Sequence, residues 1–212
     1  MQTIIRKVEE NCISREIMDE AGKLLKDGAL VAFPTETVYG LGANALDAQA
    51  AAKIYTAKGR PSDNPLIIHI ADMESLSLIT EEIPQAAMKL AERFWPGPLT
   101  MVLKKSAVVP YGTTGGLDTV AVRMPSHPIA LELIRSGGGY IAAPSANTSG
   151  RPSPTLAEHV ADDMDGIIPM ILDGGAVGIG IESTIVDLTE DVPTILRPGF
   201  ITREMLEEVV GC

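Results

Sequence analysis

Short apolar runs of strand length alternate along this chain with longer stretches whose apolar residues recur every three or four positions. That alternation is the strongest constraint on what the chain can fold into. Ala29-Leu30-Val31-Ala32-Phe33 is short and apolar throughout, so it reads as a strand buried on both faces. Just before it, Ser14 can cap a helix carrying Ile17, Met18, Ala21, Leu24 and Leu25 on one face, and Gly28 stops that helix. Further strands are expected over 66–70, 99–104, 119–123, 140–143, 167–172, 183–188 and 194–197. Helices are expected from Asp47 through Ala57, after Pro84 through Phe94, over 127–135, around 156–164, and from Thr202 onward. Repeated alternation of this kind predicts an α/β fold with helices layered on a mixed sheet. No internal repeat, linker or charge block divides the chain, so one domain over 1–212 is expected.

The composition excludes several function classes. Hydrophobic residues make up 45% and charged residues 21%, which is globular and not disordered. The net charge of −11 argues against a broad basic face for nucleic acid. The longest uncharged stretch, 136–150, is interrupted by Gly, Pro and Ser, so no membrane helix is expected. Met1 is followed by polar and charged residues rather than the apolar core of a signal peptide. Cys12 and Cys212 lie near opposite ends and form neither a disulfide framework nor a zinc pattern. A reducing, cytoplasmic setting and two inert cysteines are the expectation.

Standard catalytic motifs are missing. The sequence has no Walker-type loop, no G-x-G-x-x-G, no H-E-x-x-H and no nucleophile elbow. His69, His127 and His159 share no metal-ligand spacing. A nucleotide would therefore need an unusual phosphate site. Four cation-bearing loops offer one: Lys58-Gly59-Arg60-Pro61, Arg123-Met124-Pro125, Gly150-Arg151-Pro152 and Arg197-Pro198-Gly199. Pro and Gly fix the backbone there, which lowers the ordering cost when a guanidinium grips phosphate or carboxylate. Taken singly, each such loop is ordinarily a turn with a solvated cation. A polar loop, Pro144-Ser145-Ala146-Asn147-Thr148-Ser149-Gly150, follows a strand and is dense in small donors, either a ligand loop or an Asx/Ser turn.

Several of these segments, in this order, resemble the YrdC-type threonylcarbamoyl-AMP synthases. They are Pro34-Thr35-Glu36-Thr37-Val38-Tyr39-Gly40-Leu41, Lys58 through Leu66, Phe94-Trp95-Pro96-Gly97-Pro98-Leu99-Thr100, Pro144 through Gly150, Glu182 through Asp187, and Arg197-Pro198-Gly199. The resemblance runs from about Ile13 to Gly199. It implies a twisted open mixed β-sheet with flanking helices and a deep concave ligand cavity. It also implies that L-threonine, bicarbonate and ATP become threonylcarbamoyl-AMP and pyrophosphate, with Mg2+ carried on the ATP phosphates. A separate tRNA threonylcarbamoyl-transferase complex would use the product downstream, and direct tRNA binding is expected to be weak or absent.

The resemblance further implies residue roles. Lys58 and Arg60 match the phosphate cations and catalytic pair. Asn64, Thr119, Ala143, Ser145, Asn147, Ser153 and Arg197 match further ATP contacts. Thr35, His69, Arg123 and Ser183 match the threonine site, with Arg123 as the carboxylate clamp. On the residues alone, His69 reads as a satisfied core histidine, Trp95 as packing, Glu36 and Asp187 as local hydrogen bonders ahead of a general base or magnesium ligand, and Asp173 as a turn acid. Longer members of that family carry a further C-terminal domain. This chain ends shortly after Arg197-Pro198-Gly199 and is expected to lack it, either as a natural single-domain form or as a piece of a two-domain protein. Two rival readings are a non-catalytic nucleotide or double-stranded RNA-binding module, and a carbamoyl-transfer domain like that of hydrogenase maturation proteins.

Overall fold

A computed structural model describes residues 2–211; Cys212 lies outside the described residues. In chain order the elements are β1 (Ile4–Lys7), α1 (Arg15–Lys26), β2 (Val31–Phe33), β3 (Gly40–Asn44), α2 (Ala48–Lys58), β4 (Ile67–His69), α3 (Leu76–Ile79), α4 (Gln85–Phe94) and β5 (Leu99–Lys104). There follow α5 (Tyr111–Thr114), β6 (Thr119–Arg123), α6 (Pro128–Ser136), β7 (Ile141–Ala142), α7 (Ala157–Met164), β8 (Met170–Asp173), β9 (Thr184–Asp187), β10 (Thr194–Arg197) and α8 (Arg203–Val210).

Local signals place most of these. Ser14 and Thr202 accept hydrogen bonds from the amides of Ile17 and Met205, and Asp47 from that of Gln49, so each caps the helix it precedes. The ten strands form one open mixed sheet in the order β1-β8-β2-β3-β7-β4-β6-β5-β9-β10. Pairings β1/β8, β2/β8, β4/β6 and β5/β9 are parallel, and the remaining five are antiparallel.

Two strands, β1 and β3, and two short helices, α3 and α5, were not expected from the sequence. β3 reads Gly-Leu-Gly-Ala-Asn, and glycine weakens the strand signal. Its glycines are there for close approach. A Cβ at Gly42 would sit 2.9 Å from Ile141 Cγ2 and 3.0 Å from Phe33 Cε1. The Phe33 ring occupies that space and packs edge-on against His69, centroid to centroid 6.2 Å.

Successive residues of a strand face opposite sides of a sheet, and here the two sides differ. Ala32, Leu41, Ala43, Ile68, Val120, Val122, Met101, Ala142 and Ile171 join one continuous core with α2, α4, α7 and α8. Their neighbours Val31, Phe33, Ile141, Met170 and Leu172 face the other way, onto α1 and α6. Those two helices cover only the β1-β8-β2-β3-β7 half of that second face. Over β4, β6, β5 and β9 the same face presents Ile67, His69, Ala121, Arg123, Val102 and Ile185 to a cavity. The half-covered sheet is what positions the site.

Candidate functional site

The cavity has a volume of about 340 Å³. Its floor is the open sheet face. Its walls are the loop bearing Thr35, Thr37 and Val38, the loop bearing Arg60 and Asn64, the strand-end loop Ala143-Pro144-Ser145, and the Glu182-Ser183 and Leu196-Arg197 segments. Nine of the thirteen residues matched from sequence line it: Thr35, Arg60, Asn64, His69, Arg123, Ala143, Ser145, Ser183 and Arg197.

The other four lie outside the lining. Lys58 is buried behind the wall. Its ammonium donates to the backbone carbonyls of Ser145 and Asn147, each at 2.5 Å, and reaches Asn147 Oδ1 at 3.4 Å. Burial, and secondarily Arg60, lowers its pKa to about 8. Asn147 turns its amide inward, donating to the carbonyls of Thr148 and Arg151. Lys58 and Asn147 therefore staple the polar loop to the end of α2. Ser153 donates to Glu182 Oε1 at 3.0 Å and so touches the wall from outside. Thr119 shares a sheet face with Ala121 and Arg123 but stands about 13 Å from Arg123 along the strand, where it lines a separate cavity with Lys104, Tyr111 and Asp118.

Three of the four cation-bearing loops converge on this site. Arg151 is the exception, paired instead with Asp163. Arg197 arrives by an irregularity of the edge strand. Ile195 stands opposite Val186, whereas Arg197 stands opposite Ile185, so the register shifts between them. That bulge moves Arg197 from the core-facing row to the row of Ile185, which faces the cavity. There Nη1 pairs with Glu182 at 2.6 Å, and Nε and Nη2 donate to the Ser183 carbonyl. The turn that follows is tight. A Cβ on Gly199 would lie 2.5 Å from both the Glu182 carbonyl oxygen and the Thr184 nitrogen. Gly199→Ala is therefore expected to cost about 1–3 kcal/mol, seen as a fall in Tm of about 2–10 °C in a thermal melt.

His69 is buried on the floor, and burial, followed by Arg123, pulls its pKa down to about 3. The ring is neutral at ordinary pH. Its Nδ1 lies 3.1 Å from the Ile67 carbonyl oxygen and carries the proton, which leaves Nε2 as an acceptor. Ser183 shares a 2.8 Å hydrogen bond with Thr100. The Thr35 hydroxyl donates to the Val38 carbonyl and accepts from the amides of Thr37 and Val38. A ligand would meet Thr35 through its main chain or its methyl group.

Thr37 carries no role in the sequence, and Glu36 reads there chiefly as a local hydrogen bonder. Glu36 instead lies 2.7 Å from Arg123 Nη2. The N–H directions miss the carboxylate, so both Glu36 oxygens and the Nε and Nη2 of Arg123 have no aligned partner although they are buried. Buried donors left unspent beside a cavity point to a ligand. The other sequence readings hold: Trp95 is buried with Nε1 on the Leu99 carbonyl, Asp173 accepts from Gly175 in a turn, and Asp187 caps Thr189. Among the described residues no group of three or more His, Cys, Asp or Glu could hold a metal, and Glu36 and Glu182 are each paired with an arginine. No helix of the structure is long and apolar enough to cross a membrane.

A profile of the family described as "Telomere recombination" (Sua5/YciO/YrdC) matches residues 23–199. The chain belongs to the Sua5/YciO/YrdC family. Within it, the threonylcarbamoyl-AMP synthase of Pyrococcus abyssi is 60% identical over 209 residues, which is 99% of this chain and 61% of that protein. The threonylcarbamoyl-AMP synthase of Bacillus subtilis is 59% identical, over 91% of this chain and 56% of that protein. This chain thus spans about three fifths of the length of these two relatives. The crystal structure of P. abyssi Sua5 complexed with L-threonine superposes with a TM-score of 0.96 at 60% identity, covering 99% of this chain and 61% of that one. The half-covered sheet and its cavity belong to a fold that this family shares.

Proposed function

We propose that this chain makes threonylcarbamoyl-AMP from L-threonine, bicarbonate and ATP, releasing pyrophosphate and water. The observation that carries the reading is the buried Arg123 with donors that lack an aligned partner, beside a neutral His69 and two further cations, Arg60 and Arg197, in a cavity of small-molecule size. It is supported by two relatives of about 60% identity that bear that name, and by a neighbour of the same identity bound to L-threonine.

The chemistry fits these groups. Arg123 takes the amino-acid carboxylate, since a guanidinium fork suits it in shape and charge. His69 Nε2 accepts a hydrogen bond from the threonine hydroxyl, and Ser183 and the Thr35 backbone complete the subsite. The threonine amine condenses with bicarbonate to a carbamate, whose oxygen attacks the α-phosphorus in line as pyrophosphate leaves. This asks for positioning and charge neutralisation rather than a protein nucleophile. Arg60 and Arg197 neutralise the phosphates. Asn64, Ala143 and Ser145 border the nucleotide, Ser153 steadies the wall through Glu182, and Lys58 and Asn147 hold the polar loop that receives it. Thr119, in the separate cavity, takes no part in this subsite.

Mg2+ enters as part of the substrate, bound to ATP oxygens and water, because the chain's nearby carboxylates are engaged by arginines. When bound it supplies further charge neutralisation. The product would pass to a tRNA threonylcarbamoyl-transferase complex in the cytoplasm, with little direct tRNA contact by this chain. A double-stranded RNA-binding module has less support, because these cations sit in a cavity and the chain carries −11 overall. The test is mass spectrometry of a reaction containing isotope-labelled bicarbonate. The expected product is threonylcarbamoyl-AMP carrying the label; an unlabelled adenylate, or none, contradicts the reading.

A further inference from the structure

We propose that Thr37 is a positioning residue, whose hydroxyl fixes the orientation of the Arg123 guanidinium for an incoming carboxylate. The proposal rests on reading this cavity as an amino-acid site. A guanidinium carries five N–H donors. Among the described residues Arg123 makes one aligned side-chain hydrogen bond, from Nη1 to Thr37 Oγ1 at 3.0 Å. Glu36 offers countercharge at 2.7 Å but no aligned acceptor. Charge alone does not set the rotation of a planar group; a directional bond does.

The direction of that bond is fixed by its neighbours. The single Thr35 hydroxyl proton goes to the Val38 carbonyl at 2.7 Å. In the 2.9 Å contact between the two threonine hydroxyls, Thr37 must therefore be the donor and Thr35 the acceptor. The lone pairs of Thr37 are left to receive Arg123. The result is a one-way relay, Arg123 to Thr37 to Thr35 to the Val38 carbonyl. Thr37 is fully buried and Thr35 nearly so, hence water does not readily stand in for either hydroxyl. Hydrogen bonds to charged groups are about twice as strong as neutral ones in such surroundings. The loop after β2 is thus wired to orient the clamp on β6, four strands away in the sheet.

Two variants separate this from mere packing. Thr37→Val keeps the shape and removes the hydroxyl; Thr37→Ser keeps the hydroxyl. Calorimetric titration should show Thr37→Val weakening L-threonine about tenfold or more, with Thr37→Ser close to wild type. Threoninamide, which lacks the carboxylate, should bind wild type and Thr37→Val equally weakly, and the KM for ATP should not move. Equal loss of threonine and threoninamide would mean a collapsed pocket and would overturn the proposal, as would unchanged threonine binding by Thr37→Val. If wild type itself binds no threonine, the amino-acid reading of the cavity fails first and this inference falls with it.

Discussion

Arg123→Met should weaken L-threonine binding about 100-fold or more while leaving ATP binding within about threefold, because truncating one partner of a buried charge contact costs about 2–5 kcal/mol. The side chain is 5% exposed, and no other cation shares its position on β6. The substitution also strands Glu36, whose carboxylate is 13% exposed. An unpaired buried charge is itself destabilising by about 3–5 kcal/mol. The double variant Glu36→Gln/Arg123→Met separates the two effects. Its Tm should recover toward wild type while its threonine affinity stays lost. Arg123→Lys should rescue poorly, since a compact ammonium lacks the planar fork. Retained threonine affinity in the double variant would remove Arg123 from the account.

The second large effect is on the nucleotide side. Lys58→Ala should lower kcat/KM for ATP about 10- to 100-fold, the scale for losing buried hydrogen bonds to a charged group, because the loop that receives the nucleotide loses its anchor. Its ammonium holds the Ser145 and Asn147 carbonyls, so the variant frees the loop as well as removing the charge. The pH dependence follows with a definite sign. The pKa of Lys58 is lowered to about 8 by burial, so the ammonium is intact below that pH and is lost above it. kcat/KM for ATP, which reports the free enzyme, should therefore fall on the alkaline side of about pH 8. His69, pulled to about 3, should add no acid limb between pH 5 and 7. A flat profile through pH 9.5 would count against a working charge on Lys58.

How much of this was legible in the sequence depends on how local each cause is. Helix starts were, because a cap acts over three residues: Ser14, Asp47 and Thr202 each sit one residue before their helix. The strands of the cavity floor were legible as strands. Their exposed chemistry was not: His69 lies inside the apolar run Leu66–Ile70 and reads on the residues alone as a satisfied core histidine, and only the family resemblance marks it and Arg123 as site residues. β3 was not legible, because Gly42 answers to the Phe33 ring nine residues away rather than to strand propensity. The placement of Arg197 was hidden for a different reason. By simple alternation it would share a face with Ile195, and only the bulge turns it to the cavity. Glu36 reads chiefly as a local hydrogen bonder and Thr37 carries no signal of a role, since nothing in a loop sequence states that its partner is Arg123 on β6. Lys58 carries its charge where the motif put it, but the carbonyls that engage it belong to a loop more than eighty residues on.

The central claim is that one cavity brings threonine, bicarbonate and ATP together for adenylate formation. Pyrophosphate release tests it most directly, measured with Mg-ATP, bicarbonate and L-threonine together and then with each omitted in turn. Release is expected only with all three present, and should fall about tenfold or more in Arg123→Met at threonine concentrations that just saturate wild type. Release at full rate without threonine would contradict it.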